Sequence, residues 1–190
     1  MTKNKMEQLF IKFKEQAEAI SARVYRVNDS SAAGRQLDAI LKELKAKTIV
    51  AAESGMVADC LKALNTEDVT VHTRDLRQHA ADAELGLSEV DLAIAETGTL
   101  AQDSTVLNQR LVSTLPPVHV ALVSTNRLVD NFVDAVDHFY AKDTLPGYIA
   151  FISGPSRTAD IERVLTIGVH GPEQLYIIFV DQAGGEPNER

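Results

Sequence analysis

The sequence predicts an α/β fold, a three-layer α/β/α sandwich in which helices cover both faces of a mostly parallel sheet. Apolar runs of strand length alternate with helical patterns along the chain, as in α/β folds. Several of these runs are continuously apolar, which is typical of strands buried on both faces. At 190 residues, without a repeat or a Pro-rich linker, the chain reads as one domain. Within it we expect N-terminal helices over residues 1–45, a core over 46–182 and a loose tail over 183–190.

The first half of the chain alternates between amphipathic helices and short strands. Leu9, Phe13 and Ala17 recur at helical spacing in the first segment, and Ser54 is a suitable N-cap for a later one. The predicted helices are 6–24, 34–45 and 54–64, with a helix or irregular segment over 75–84. The predicted strands are 48–52 and 69–73.

The second half carries the most apolar runs. The predicted strands are 91–95, a strand or hairpin over 100–107, and 118–123, 148–152 and 175–180, of which 148–152 reads as a buried strand. A helix is predicted over 127–140, and another that opens at Thr158 as its N-cap.

Composition excludes several classes of function. The net charge of −8 argues against a non-specific nucleic-acid binder, because phosphate neutralisation needs clustered Lys and Arg. No apolar run approaches the roughly 20 residues of a membrane span, and the first eight residues do not resemble a signal peptide. We therefore expect a cytoplasmic protein without a membrane span.

Cysteine and histidine usage argues against a metal site in this chain. The single cysteine, Cys60, excludes an internal disulfide and a cysteine-ligated iron–sulfur cluster, and its apolar helical context favours a core residue. His119 alternates with apolar neighbours in a strand, which is typical of a core histidine. His72, His79 and His138 lack zinc-ligand spacing.

The densest set of site-like residues is the segment 154–162, which follows the apolar run 148–152. Gly154 would let the backbone approach a ligand, and Ser156 and Thr158 supply hydroxyls. Arg157 offers a fork of donors suited to a carboxylate or phosphate. With a helix opening at Thr158, the segment predicts a small-anion site. The alternative is a helix start with Arg157 in a salt bridge.

Two further clusters, a histidine and a second arginine are also candidates. Glu96-Thr97-Gly98-Thr99 follows a strand directly and combines a possible general base with hydroxyls; a plain turn is the alternative. Residues 124–127 also follow a strand. We expect the three clusters that follow strands, residues 96–99, 124–127 and 154–158, to lie beyond the carboxyl ends of parallel strands. His170, between glycines, is a candidate acid/base group or a surface turn residue. Arg110 is a second candidate anion ligand.

Motifs for nucleotide and ester chemistry are absent from the sequence. There is no Gly-x-Gly-x-x-Gly after the first strand and no Gly-x-x-x-x-Gly-Lys-Ser/Thr loop. The Gly-x-Ser-x-Gly elbow is missing too. These absences disfavour nucleotide hydrolysis and serine-esterase activity.

At these same clusters the chain resembles the lactate utilization protein C family, the small LUD-domain proteins. The segments that carry the resemblance are VDLAIAETGTL (90–100), LPPVHV (115–120), ISGPSRTADIE (152–162) and GVHGP (168–172). It extends over residues 45–182. It implies a sandwich of the type shared with ribose-5-phosphate isomerase, glucosamine-phosphate deaminase and coenzyme A transferases.

The resemblance also implies a role in the oxidation of L-lactate to pyruvate beside partner subunits that hold iron–sulfur clusters. In this interpretation Arg157, with the backbone of residues 156–158, binds a small carboxylate or phosphate, or the same region binds a partner. Glu96 acts as acid/base or orients the ligand, and His170 assists. Base rates for soluble proteins make a homodimer possible.

Two other hypotheses remain open. Glu96-Thr97-Gly98 is similar in form to the Glu-x-Gly turn of coenzyme A transferases, in which the glutamate is the nucleophile. The chain could therefore be a free-standing enzyme on an acyl-coenzyme A or a sugar phosphate. It could also be an adaptor without a ligand, in which case the loss of Arg157 would affect assembly or stability alone.

Overall fold

The computed structural model describes residues 3–65, 67–155, 157–158, 166–167 and 171–182. The helices of this part are α1 (Lys3–Ala19), α2 (Ser30–Leu44), α3 (Gly55–Lys62), α4 (Leu76–His79), α5 (Leu107–Thr114) and α6 (Phe132–Tyr140), with a 3₁₀ helix at Thr125–Arg127. The strands are β1 (Arg23–Asp29), β2 (Thr48–Ala51), β3 (Thr70–His72), β4 (Leu85–Glu89), β5 (Leu92–Ile94), β6 (Thr99–Asp103), β7 (Val118–Ser124), β8 (Leu128–Val129), β9 (Ile149–Ile152), β10 (Arg157–Thr158), β11 (Thr166–Ile167) and β12 (Gln174–Gln182).

A six-stranded parallel sheet forms the centre of the fold. Its strand order is β1-β12-β7-β4-β2-β3, and each neighbouring pair runs parallel. All seven residues of β7 are buried, as a strand covered on both faces requires. The predicted fold class, a three-layer α/β arrangement with a mostly parallel sheet, is confirmed.

A second, smaller sheet packs against the first and was not predicted. Its order is β8-β5-β6-β9. The strands β5, β6 and β9 are antiparallel in turn, whereas β8 runs parallel to β5. A two-stranded antiparallel pair, β10 with β11, is separate from both sheets.

Different elements cover the two faces of the parallel sheet. On one face α2 and α3 enclose a core that includes Leu37, Ile40 and Tyr176. On the other face α1 and the second sheet share a core with Phe13 and Phe179, whose rings meet edge to face at 5.0 Å. The helices α4 and α5 complete this face over β2, and α6 covers the outer side of the second sheet.

Side-chain caps fix the starts of α2 and α3. Ser54 accepts a hydrogen bond from the backbone N–H of Val57 at 3.1 Å, which confirms it as the N-cap of α3. Asp29 accepts one from Ala32 N at 2.7 Å at the start of α2. Each cap satisfies a backbone donor that the helix leaves unpaired.

The first predicted helix is too long. It ends at Ala19, and residues 23–29 form β1 at the edge of the parallel sheet. Ser21 takes a left-handed φ of 71°, which no helix can continue through. Most residues of β1 are only partly buried, as expected for a strand at the edge of the sheet.

Three other element predictions need correction. The region 100–107 is not one strand or hairpin, because β6 ends at Asp103 and α5 begins at Leu107. The helix predicted over 127–140 begins at Phe132, after the 3₁₀ helix and β8. The strand β4 was not predicted at all, although it lies between β2 and β7.

The strand near Gly154 and the helix after it also differ from prediction. The strand β9 exists but is not buried: it ends the order of the second sheet, and Phe151 is exposed. The helix opening at Thr158 is wrong at that residue, because Arg157 and Thr158 pair antiparallel with Ile167 and Thr166. The pairing occupies backbone groups that a helix start would leave free.

Within the described residues, the helices are all too short or too polar to cross a lipid bilayer.

Candidate functional site

The Glu96 cluster forms the tight turn of the β5–β6 hairpin. Gly98 N donates to Ile94 O at 3.0 Å, and Gly98 takes a φ of 64° that glycine adopts without steric penalty. Glu96 and Thr97 are exposed on the turn, whereas Thr99 is buried. The turn thus presents a carboxylate and a hydroxyl to solvent.

A chain of hydroxyls joins this turn to the Gly154 segment. Thr97 Oγ1 donates to Thr99 Oγ1 at 2.8 Å, and Thr99 Oγ1 shares a hydrogen bond of 2.7 Å with Ser153 Oγ. The antiparallel pairing of Leu100 with Ile152 brings the two segments together. We call residues 96–99 and 153–154 the hairpin end. The structure therefore unites two clusters that the sequence separates by more than fifty positions.

Glu96 lies at the start of α6. Its Oε2 accepts a hydrogen bond of 3.4 Å from Phe132 N, the first residue of that helix, and its backbone N–H donates to Asp130 O at 2.9 Å. Asp130 in turn pairs with Lys12 Nζ at 2.9 Å. The exposed carboxylate of Glu96 therefore lies at the N-terminus of α6, where it can accept hydrogen bonds from a ligand.

The two glycines of the hairpin end make close contact with α1. A Cβ on Gly154 would lie 2.6 Å from Ile20 O, and one on Gly98 would lie 2.7 Å from Ala17 Cα and meet Ala17 N as well. The end of α1 therefore fills the side of Gly154 on which a Cβ would lie, and the approach of a ligand to its backbone stays a prediction.

The hairpin end lies at the amino side of the parallel sheet. Ala22 N donates to Ala17 O at 3.0 Å, and β1 begins at Arg23, so the end of α1 marks the side where the parallel strands start. The expectation that these clusters lie beyond the carboxyl ends of the parallel strands is therefore wrong for Glu96–Thr99 and for Gly154. They follow β5 and β9 of the second sheet. Residues 124–127 do follow a strand of the parallel sheet, β7.

Arg110 is not part of the hairpin end. Its guanidinium donates to Ser104 O and Thr105 O at the opposite end of β6 from the turn, and it lies 5.3 Å from the centre of the Tyr148 ring. A cleft of about 450 Å³ opens nearby, lined by Asp91, Asp103, Thr105, Val106, Gln109, Thr144, Leu145 and Pro146. In this arrangement Arg110 stabilises a loop.

The remaining candidates are placed only in part. Ser156 and His170 lie outside the described residues. Arg157 and Thr158 are described by their backbone pairing in β10, which begins three residues beyond Gly154. Among the described residues, no group of three His, Cys, Asp or Glu side chains is arranged to hold a metal ion.

Sequence reasoning missed Ser153 and a buried polar network. Ser88 Oγ shares a hydrogen bond of 2.9 Å with His119 Nε2, and Gln102 Nε2 donates to Ser88 Oγ at 3.1 Å and to Gln109 Oε1 at 3.0 Å. His119 is a core histidine as predicted, with its Nδ1 unpaired. Burial lowers the pKa of His119 to about 4. The periodicity of the sequence can indicate that these polar residues are buried, but it does not indicate their hydrogen-bond partners.

Cys60 is a core residue, as predicted. It is fully buried, and burial raises the pKa of its thiol to about 12. A thiol held in its protonated form is a poor nucleophile and a poor metal ligand.

The Thr99–Ser153 hydrogen bond can be tested by a matched substitution. Thr99→Val keeps the shape of the side chain but removes the hydroxyl that both neighbours use. We expect a loss of about 1 kcal/mol in the free energy of unfolding, measured by urea denaturation. Thr97→Val, at the exposed position, should change it by less than about 0.5 kcal/mol. Equal effects of the two substitutions would argue against a special role for Thr99.

The described residues share their fold with a solved structure. A DUF162 family protein from Deinococcus radiodurans aligns with a TM-score of 0.65 over 92% of this chain and 98% of that chain, at 22% identity. At that level of identity the likeness establishes the fold.

Several proteins similar in sequence carry more specific names than the solved structure does. The lactate utilization protein C of Shouchella clausii is 41% identical over 91 residues, which are 46% of this chain and 40% of that protein. Lactate utilization protein C 1 of Bacillus mycoides is 38% identical over 92 residues, 46% of this chain and 39% of the relative. An uncharacterized protein of Neisseria meningitidis is 40% identical over 88 residues, 46% of this chain and 38% of its own length. The match thus spans about two fifths of each relative. The LUD domain family matches residues 11–180.

Proposed function

This chain belongs to the LUD domain family, and from that premise we propose that it serves in lactate utilization, as a component of a system that oxidises L-lactate to pyruvate. The names of the relatives from Shouchella clausii and Bacillus mycoides support this role. The family match agrees with the resemblance seen in the sequence.

The hairpin end is the proposed ligand site, and the 2.7 Å bond between Thr99 and Ser153 is the observation that carries it. That bond joins the Glu96 turn to the segment that leads into Arg157. Both segments carry the resemblance to the family. A site built from both has an exposed carboxylate, several hydroxyls and an arginine close along the chain.

In the proposed site each residue has a role that suits a small carboxylate ligand. Arg157 binds the ligand carboxylate through its fork of donors, and Ser156 and Thr158 add hydroxyls. Thr97 presents its hydroxyl on the turn. Glu96 orients the ligand or exchanges a proton with it, and His170 assists. Arg110 is left out, because its donors are used by carbonyls at the other end of β6.

Iron–sulfur chemistry, if the system uses it, is proposed for partner subunits. A cluster of this kind is held by several cysteine thiolates. This chain has one cysteine, and that thiol is buried with its pKa raised to about 12. The residues present therefore do not fit a cluster within this chain.

Binding measurements on the purified chain test the site. We expect L-lactate or pyruvate to bind by isothermal titration calorimetry, and Arg157→Ala to raise Kd about 30-fold or more, the effect of removing one partner of a desolvated charge pair. Glu96→Gln keeps the shape of the side chain and should also weaken binding. Arg35→Ala is the matched control, because Arg35 is exposed on α2, and its Kd should match that of the wild type.

Two results would contradict the proposed site. One is a folded wild-type chain that binds neither compound, which would leave a partner-binding role in the lactate system. The other is unchanged binding in Arg157→Ala, which would move the ligand away from the segment after Gly154.

A second function is favoured by the exposure of Glu96. Its carboxylate faces solvent on the turn and accepts one long hydrogen bond from Phe132 N, so it is accessible as a nucleophile. If the chain is a free-standing enzyme on an acyl-coenzyme A or a sugar phosphate, the purified chain turns over such a substrate alone, and Glu96→Gln abolishes that activity.

A further inference from the structure

The outer surface of α6 is apolar and exposed. Phe132, Val133, Val136 and Tyr140 of this helix, with Phe151 of β9, are each between 42 and 76% exposed. The rings of Phe132 and Phe151 lie 4.8 Å apart, which makes helix and strand one continuous surface. We call these five residues the α6 face.

The apolar arc of α6 is wider than its contact with the core. Viewed down the helix axis, with about 100° between successive residues, the apolar residues of α6 span an arc of about 160°. Ala135 lies at one edge of this arc and Val133 at the other. Ala135 and Phe139, which are buried, account for only about 40° of it. Asp134 and Asp137 occupy the opposite side of the helix. A helix that packed on this domain alone would need a much narrower stripe.

The α6 face has the area of one side of a dimer interface. Five large apolar side chains, each about half exposed and burying about 200 Å² when fully covered, offer about 500 Å². A patch of this size is as large as the largest apolar patch of a typical monomer, and such patches often serve in binding. With the usual share of polar rim atoms, two such faces would bury about 1,500 Å² in total, close to the standard size of a stable interface.

We propose that the α6 face is the interface between two copies of this chain. Phe132, Val136 and Tyr140 lie on one side of the helix at intervals of four residues. A two-fold axis at Val136 would set Phe132 of one copy against Tyr140 of the other, so the stripe is complementary to itself. The crossed helices would also run antiparallel, which sets their dipoles in a favourable sense.

The salt dependence of association distinguishes a second copy of this chain from a basic partner protein. Each copy carries a net charge of −8, so two copies repel each other at low ionic strength, and association between them should strengthen as salt screens the repulsion. A basic partner would bind this acidic chain more weakly as salt rises.

Sedimentation velocity on the full chain tests the proposal directly. We expect a concentration-dependent dimer of twice the 20.7 kDa chain mass, tighter in 500 mM than in 50 mM NaCl. Val136→Asp and Val133→Asp should each raise the dimer Kd about 30-fold or more, because each buries an unpaired charge at the interface. Ile11→Asp, at an exposed apolar position of α1, should leave Kd within about twofold.

A cysteine at the two-fold axis gives an independent test. Cys60 is buried and resists reaction, so in Val136→Cys the introduced thiol is the one that oxidises. We expect a disulfide-linked dimer in that variant and none in Ile11→Cys. A wild-type chain that stays monomeric at 100 µM, or a dimer that both aspartate variants leave intact, would overturn the proposal. The test is independent of the proposed ligand, because neither valine belongs to the hairpin end.

Discussion

Gly98→Ala is expected to lower the free energy of unfolding by about 2–5 kcal/mol. Alanine in the left-handed region costs about 1–2 kcal/mol, and Gly98 has a φ of 64°. Its Cβ would also lie 2.7 Å from Ala17 Cα, a backbone atom that cannot rotate away, and overpacking of this kind costs about 1–3 kcal/mol. For a chain of this size we expect Tm to fall by about 5–15 °C.

Gly147 supplies the matched control for Gly98. A Cβ there would meet only Thr105 side-chain atoms, the nearest at 3.6 Å, which is ordinary contact. Gly147→Ala should change the free energy of unfolding by less than about 0.5 kcal/mol in either direction. Calorimetric unfolding of the variants checks both expectations. If Gly98→Ala proved as mild as Gly147→Ala, the close packing of α1 on the hairpin end would be wrong.

The same contact makes α1 a positioning element for the proposed site. Gly98 meets Ala17, and Gly154 meets Ile20, so one helix end holds both motif segments in place. A helix that was predicted only as an N-terminal addition therefore lies under the hairpin end. Larger side chains at Gly98 or Gly154 should therefore weaken ligand binding and also lower the free energy of unfolding.

The strands in the middle of the parallel sheet were predictable because their burial is uniform. The runs at β7 and β12 are apolar at every central position, and such a run has few alternatives to a strand covered on both sides. The helix α2 was predictable for a similar reason, since Leu37, Ile40 and Leu41 recur at helical spacing and are buried.

The missed strand β1 has an ambiguous local signal. It follows an amphipathic helix after only three residues, and its burial varies along the strand, because an edge strand faces solvent in part. The break occurs at Ser21, whose φ of 71° is a conformation usually signalled by glycine. Pairing with β12 decides the outcome, and that partner lies about 150 residues away.

The residue types of the two clusters could be read from the sequence, whereas their place in the fold could not. The carboxylate and hydroxyls of the Glu96 and Gly154 clusters make them candidates for ligand binding wherever they lie, and that role stays a prediction. Their location depends on the second sheet, in which β5 has three residues and β8 two. Strands so short carry too few positions for periodicity to show, so both clusters were assigned to the wrong sheet.

His119 is expected to make the protein less stable as the pH falls. Burial holds its pKa at about 4 in the folded chain, against about 6.5 when unfolded. Between these two pKa values the unfolded chain binds a proton at His119 that the folded chain does not bind. The free energy of unfolding therefore decreases as the pH falls from about 6.5 to about 4, and this contribution is fully lost below about 4. By linkage the loss from this residue is about 2 kcal/mol between pH 7.5 and 5.0.

Urea unfolding of His119→Gln at the two pH values isolates this effect. Glutamine does not titrate and can still bond to Ser88 Oγ, so the variant should lose about 2 kcal/mol less than the wild type between pH 7.5 and 5.0. His138→Gln is the control: burial, with Arg127 and Lys142 nearby, also lowers the pKa of His138, but this side chain is only partly buried. It should therefore retain most of the wild-type pH dependence. An unchanged pH dependence in His119→Gln would mean that His119 gains its proton without leaving the core, through water at the unpaired Nδ1.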